Sequence, residues 1–168
     1  MKRLTIIRHA KSSWASPQLD DYDRPLNQRG KHVAPLMGEA LSGRIGKPDV
    51  IVSSTALRAR TTAGIIAEKL GYADGDIVDE RQIYCATESR LLQVLRGIDE
   101  SHGSAVLFGH FPGVHDLTNT LCQAADIGHF PTCAAAIIEL DLDHWGEIDP
   151  NTGRLIEFLI PKETVAGA

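Results

Sequence analysis

A chain of 168 residues, 43% hydrophobic and 23% charged, has the size and composition of one globular domain with a sizeable core. Its formal net charge of −5 argues against general nucleic-acid or membrane-surface binding, which need broad basic surface, but it leaves room for a small basic pocket. Cys85, Cys122 and Cys133 are odd in number and form no CxxC, so no disulfide framework is expected and the default setting is reducing and cytoplasmic.

The first strand is expected over about Arg3 to Arg8. The Met-Lys-Arg start resembles the beginning of a signal peptide, but the apolar run stops at Ile7, too short for one. No segment is long enough to span a membrane. Ala10 to Leu26 reads as a long polar connection with Pro17, a Ser cluster and Asp20-Asp21, and a loop of that length is usually functional. Asn27 caps a helix running to about Ile45, with Val33, Met37, Ala40 and Leu41 on one face and Gly43 or Gly46 as its stop.

Asp49 to Ser53 is the second strand, followed by a helix over about Ala56 to Leu70 that Gly71 ends. A short third strand lies near Asp76 to Val78. Thr87 caps the next helix, whose inner face is Leu91, Leu92, Leu95 and Ile98. Ala105 to Phe108 is the fourth strand. Gly109-His110 follows it, and Pro112 and Gly113 turn the chain into a helix over about Val114 to Ala124. Ala134 to Leu142 and Leu155 to Ile160 read as an antiparallel hairpin that Trp145 to Ile148 extends, with turn chemistry at Asp149 to Gly153. The expected architecture is an α/β, three-layer α/β/α sandwich with a mostly parallel central sheet and an antiparallel C-terminal edge. It forms a single domain over residues 1–168, with a tail that frays after about 161.

Ligands of such sheets bind beyond the carboxyl ends of the parallel strands. Arg8, His9, Lys11 and Ser12 follow the first strand. Ser53, Ser54, Thr55 and Arg58 follow the second, Glu80, Arg81 and Tyr84 the third, and His110 the fourth. Two arginines, two histidines and several hydroxyls on one rim describe a pocket for a tetrahedral dianion, because guanidinium groups bind phosphate oxygens in pairs and keep their charge when buried. His9 is then either a passive ligand or a nucleophile that attacks through one ring nitrogen while the other donates to a backbone carbonyl. Arg58 and Arg60 are both plausible clamps by position. The remaining histidines show no metal-ligand spacing. Cys85 and Arg90 are one residue too close for a cysteine-phosphatase loop, so Cys85 is read as a small packed residue.

Four stretches in order resemble the histidine phosphatase superfamily: Arg8-His9-Ala10-Lys11-Ser12, Asp23 to Gly30, Ser53 to Ala63, and Gly109 to Gly113. The short length and the RHAKSSW wording resemble its small SixA-type phosphohistidine phosphatase branch. The resemblance implies a phosphoglycerate mutase-like fold, His9 as the phosphorylated nucleophile, and Arg8, Arg58 and His110 on the phosphoryl oxygens, so it selects Arg58 over Arg60. Ser12 is a further candidate phosphate ligand, and Glu80 is the nearest match to the superfamily's proton-donating carboxylate. Phe111 stands where the family pattern has Asn and alters the rim. The scheme needs no metal or cofactor.

The implied activity is a metal-independent phosphatase with a phosphohistidine intermediate. The implied substrate is phosphohistidine on a protein such as a histidine phosphotransfer domain. The short connections after the second, third and fourth strands leave no cap domain, and an open mouth suits a protein surface. A phosphatase or mutase for a small phosphorylated metabolite is the first alternative, and a non-catalytic phosphate-binding regulatory module the second.

Overall fold

Six strands form one sheet in the order β3-β2-β4-β1-β5-β6 in the computed structural model, which describes residues 1–168. They are β1 (Lys2–Arg8), β2 (Val50–Ser53), β3 (Val78–Asp79), β4 (Ser104–Gly109), β5 (Ala135–Leu140) and β6 (Gly153–Leu159). The first four pair in parallel, while β5 runs antiparallel to β1 and β6 antiparallel to β5. Helices α1 (Gln28–Ile45), α2 (Leu57–Lys69), α3 (Glu88–Arg96) and α4 (Gly113–Leu121) connect the parallel strands and lead out of β4. A short C-terminal helix, α5 (Pro161–Thr164), completes the chain.

Central parallel strands are apolar on both faces because helices cover both. Leu4 and Ile6 of β1, Val50 and Val52 of β2 and Leu107 of β4 join one core with Leu91 and Leu95 of α3 and Leu117 and Leu121 of α4. Ile7, Ile51, Val106 and Phe108 join the other, with Met37 and Leu41 of α1 and Ile66 of α2. Each such side chain contributes about 1.5–3 kcal/mol relative to exposure, so the sheet is a rigid platform for its ends. The caps act as the sequence implies. Asn27 Oδ1 accepts the Gly30 N–H at 2.9 Å and Thr87 Oγ1 the Arg90 N–H at 3.3 Å. Helix α1 passes through Gly43 and stops at Gly46, which takes φ +63°.

Three expectations are corrected. Trp145 to Ile148 does not extend the hairpin. A 3-10 turn over Trp145–Glu147 sinks the indole fully into the α3/α4-side core, with its Nε1–H donating to the His102 carbonyl at 2.8 Å. Burying a tryptophan with its N–H satisfied outweighs two more ladder bonds on an edge. The tail does not fray. Pro161 begins α5, Val165 and Ala168 pack on the α1/α2-side core, and the His32 Nε2–H donates to the Gly167 carbonyl at 2.8 Å. Cys85 is not packed: it is exposed, with φ +57°.

Candidate active site

Strand register places the chemistry. Arg8 of β1 is level with Gly109 of β4, and Ser53 of β2 is level with Phe108. The next residues, His9, His110 and Ser54, therefore emerge side by side. The ladder continues one step past the strands, with the His9 N–H on the Gly109 carbonyl at 3.1 Å and the Ser54 N–H on the Phe108 carbonyl at 3.0 Å. The two imidazole centroids lie 5.3 Å apart.

His9 is buried, and its Nδ1 lies 2.7 Å from the Ala10 carbonyl oxygen. A carbonyl only accepts, so Nδ1 carries the hydrogen and Nε2 keeps its lone pair. Burial pushes the His9 pKa down to about 3, assisted by the charges of His110, Arg58 and Arg8 and opposed by the Ala10 bond. The ring is neutral at ordinary pH, as a nucleophile must be. His110 is pushed down to about 4, by burial first and then by Arg58. Its Nε2 lies 2.7 Å from Ser54 Oγ, and Ser54 Oγ also accepts the Ala56 N–H at 3.2 Å.

Arg8 and Arg58 supply the positive charge. Arg8 Nη1 donates to the Phe130 carbonyl at 2.8 Å, and its guanidinium lies 5.2 Å from the Phe111 ring. Phe111 therefore puts an aromatic wall beside Arg8. Arg58 is buried one position into α2 and donates to the Asp21 carbonyl at 2.6 Å and to Asp21 Oδ2 at 3.0 Å. Thr62 ties α2 to the loop after β1: its Oγ1 donates to the Arg58 carbonyl at 2.7 Å and accepts the Ala10 N–H at 3.0 Å. Gly30 lets α1 close on the same loop, since a Cβ there would sit 2.2 Å from the Lys11 carbonyl oxygen. Four buried side-chain N or O atoms lack a hydrogen-bond partner within the protein: Arg8 Nε, Arg58 Nε, His110 Nδ1 and Thr55 Oγ1. All four belong to these strand ends, whereas buried polar groups elsewhere are satisfied.

A cavity of about 210 Å³ opens here, lined by Arg8, His9, Lys11, Ser12, Arg58 and His110 together with Trp14, Arg24, Phe111 and Thr132. The structure thus brings together Arg8, His9, Ser12, Arg58 and His110. Glu80 is not among them. Its carboxylate accepts the Gln82 N–H at 2.9 Å and caps the 3-10 turn Arg81–Ile83, the ordinary use of an acidic residue before a turn. None of the ten lining residues carries a carboxylate.

Two neighbours of the cavity escaped the sequence reading. Asp21 is gripped by Arg58, by the Tyr84 hydroxyl donating to Oδ2 at 2.6 Å, and by Arg24 Nε donating to Oδ1 at 3.2 Å. The Tyr84 bond chiefly, with the Arg58 charge, holds the Asp21 carboxyl below its ordinary value, and the same bond pushes the Tyr84 hydroxyl up to about 12. Arg24 is buried, with its guanidinium stacked 3.4 Å from the exposed Trp14 ring. The i, i+3 spacing of Asp21 and Arg24 was the available signal.

No helix is long and apolar enough to cross a membrane. No group of three or more His, Cys, Asp or Glu side chains is placed to hold a metal ion.

The family model of the histidine phosphatase superfamily (branch 1) matches residues 4–83. A crystal structure named for the phosphohistidine phosphatase SixA of Agrobacterium tumefaciens is 32% identical, covers 95% of this chain and 98% of its own, and has a TM-score of 0.79. A protein histidine phosphatase SixA complexed with tungstate shares the fold at 22% identity over 96% of this chain and 98% of that one, with a TM-score of 0.81. The mycobacterial glucosyl-3-phosphoglycerate phosphatase shares it more loosely, at 17% identity over 92% and 97%, with a TM-score of 0.65. With a neutral, buried His9 set among arginines at aligned strand ends, this chain is a phosphatase belonging to the SixA-type branch of the histidine phosphatase superfamily.

Proposed function

We propose that the chain removes phosphoryl groups from phosphohistidine on a protein, through a phosphohistidine intermediate on His9. The observation that carries this reading is a cavity rich in cations and without a carboxylic acid. An alkoxide leaving group needs a proton donor in the transition state. The carboxyl bonded to the lining residues Arg58 and Arg24, Asp21, is held ionised by Tyr84 and Arg58 and has no proton to give. An imidazole leaving group needs none from the protein when its other ring nitrogen has taken a proton from water beforehand, because the phosphoimidazolium so formed departs as a neutral ring.

The steps balance. The His9 Nε2 lone pair forms a bond to phosphorus as the bond to the substrate ring nitrogen breaks, and that electron pair leaves with the substrate ring. Arg8, Arg58 and His110 surround the transferring oxygens, where preorganised donors stabilise the developing charge. Water then adds to phosphorus, the phosphorus–Nε2 bond breaks with its electrons returning to His9, and the water proton leaves on inorganic phosphate. The Nδ1–H stays on the Ala10 carbonyl throughout and fixes the ring. No metal enters the scheme. The SixA name of the Agrobacterium tumefaciens relative supports the same substrate class.

The test is rapid quench with a phosphohistidine peptide and with glycerol phosphate, each with and without chelator. Acid-labile, base-stable phosphate on His9 is expected. Turnover of the peptide should exceed that of glycerol phosphate by about 100-fold or more, the cost of expelling an unassisted alkoxide. Equal turnover of the two would transfer the reading to small phosphorylated metabolites, and loss of activity with chelator would point to a metal hydrolase.

A further inference from the structure

A second cavity, of about 480 Å³, adjoins the first and shares Lys11 and Thr132 with it. Its walls come from three parts of the chain: the first turn of α1 with Arg29, the loop before β5 with His129, and α5 with Lys162 and Glu163. Three permanent cations thus face one carboxylate in a molecule of net charge −5. None of Lys11, Arg29, Lys162 or Glu163 takes part in a salt bridge. By contrast, Arg44, Arg60, Arg96 and Arg154 are each paired with a carboxylate.

The groove is held in register with the reaction centre. The Cys133 N–H donates to both the Arg8 and His9 carbonyls, at 3.1 and 3.0 Å, and Arg8 Nη1 grips the Phe130 carbonyl. The loop carrying His129 is therefore fastened to the strand end carrying His9. On the other wall, the Asn27 N–H donates to the Lys11 carbonyl at 3.0 Å, which sets the start of α1 against the same loop. Val33 and Pro161 give the groove an apolar floor. Its volume is within the range of small-molecule ligand sites and more than twice that of the catalytic cavity. That is far more room than a single phosphate needs.

We propose that this groove binds an acidic segment of the protein substrate, next to the phosphohistidine that enters the catalytic cavity. The assignment rests on the protein-phosphohistidine reading above. Charge complementarity supports it: three permanent cations against one carboxylate, in a chain of net charge −5, attract an acidic segment and so set orientation as well as affinity. The apolar floor accepts the stems of the same segment, and the shared Lys11 and Thr132 make the two spaces continuous.

The test uses a charge-reversed double variant, Arg29→Glu with Lys162→Glu, both exposed and outside the catalytic cavity. The probes are phenyl phosphate, a phosphohistidine peptide with Asp/Glu flanks, the same peptide with Ser/Gln flanks, and 3-phosphoglycerate. The wild-type protein should favour the acidic over the neutral peptide by about tenfold in kcat/KM at low salt, and less at high salt. The double variant should lose that preference while phenyl phosphate turnover stays unchanged. Equal rates on the two peptides in the wild type, or an equal loss on every probe in the variant, would overturn the proposal. So would a charge-dependent preference confined to 3-phosphoglycerate, which would make the groove a small-molecule subsite. If the wild type turns over no probe, the hydrolase reading fails instead. Fluorescence anisotropy of the unphosphorylated acidic peptide then decides the groove: weaker binding to the variant supports it, and unchanged binding rejects it.

Discussion

Two arginines two positions apart on α2 end in opposite situations. Arg60 sits at the lateral edge near β3 and donates to Asp79 Oδ1 at 2.7 Å, Asp74 Oδ1 at 2.8 Å and the Asp74 carbonyl at 3.0 Å. With a further bond to Asp74 Oδ2 at 3.1 Å, four of its five N–H donors are engaged. Arg58, about 200° around the helix, is buried at the rim, bonded only to the loop residue Asp21, with Nε unpartnered. A cation with most of its donors taken by carboxylates and a backbone carbonyl holds structure. A buried cation with donors left over is set up for a ligand, because the fold gains little from keeping it there.

The largest effect tests whether the rim is chemical at all. His9→Ala should abolish the phosphoenzyme and lower turnover by at least about 10,000-fold, as loss of a nucleophile does. Wild-type turnover in that variant would sink the covalent mechanism.

The two arginines separate next. Arg58→Ala should lower kcat/KM by roughly 100- to 1,000-fold through lost charge stabilisation, with folding largely kept. Arg60→Ala should leave kcat/KM within about threefold and instead lower stability by about 1 kcal/mol, since its ion pairs are partly exposed. Steady-state kinetics on phenyl phosphate and thermal melts of both variants measure this. Similar activity losses in the two would erase the distinction between them.

Sequence alone carried the main parts of the site because they break local rules. A cationic pair after a buried apolar run, and a histidine after another, are costly to desolvate and so call for a partner. The helix starts were legible for a similar reason: Asn27 and Thr87 act over three residues. What stayed hidden depends on long-range contact. Arg58 and Arg60 read alike until Asp74 and Asp79 are seen to claim one of them. Asp21 looked like one more solvated acid in a polar loop, because Tyr84 and Arg58, its partners, are distant in sequence. Glu80 stood at the right place in the chain, but its carboxylate turns back to cap its own 3-10 turn. Trp145 read as strand because its burial is paid by the His102 carbonyl, which no local pattern reveals.

Asp21 is a positioning residue for Arg58, and its replacement refines the contrast with Asp74 and Asp79. Asp21→Asn removes a negative charge beside the anion site but keeps the backbone carbonyl bond to Arg58. KM for phenyl phosphate should fall about threefold, since one repelling charge is gone, while kcat falls about tenfold as Arg58 loses its fixed orientation. A purely structural role would not lower KM and kcat together. The variant also carries an optical signature. Tyr84, pushed up to about 12 by Asp21, should return toward the ordinary phenol value of 10.0, so ultraviolet titration should show an additional tyrosine ionising near there.

The smallest effect is acid sensitivity, and it too separates the two regions. His9 and His110 have folded pKa values of about 3 and 4 against an ordinary 6.5. As pH falls below 6.5 the unfolded chain takes up protons that the folded rim refuses, so stability drops through that window. The slope is at most about 1.4 kcal/mol per pH unit for each histidine. Asp74, held below its ordinary 3.8 by Arg60, is ionised in both states above that value and withdraws its contribution only at lower pH. Between pH 6.5 and about 5, above the carboxylate range, the loss therefore belongs to the rim. Melting temperatures should decline over that interval in the wild type and in Arg60→Ala alike, and decline less in His110→Ala. The catalytic counterpart follows from the same neutrality: phosphoenzyme formation should persist at pH 5, with no loss centred near 6.5. A limb at 6.5 would mean that His9 takes its proton as a solvent-exposed imidazole does, and that burial, aided by the charges of His110, Arg58 and Arg8, does not keep its Nε2 lone pair free.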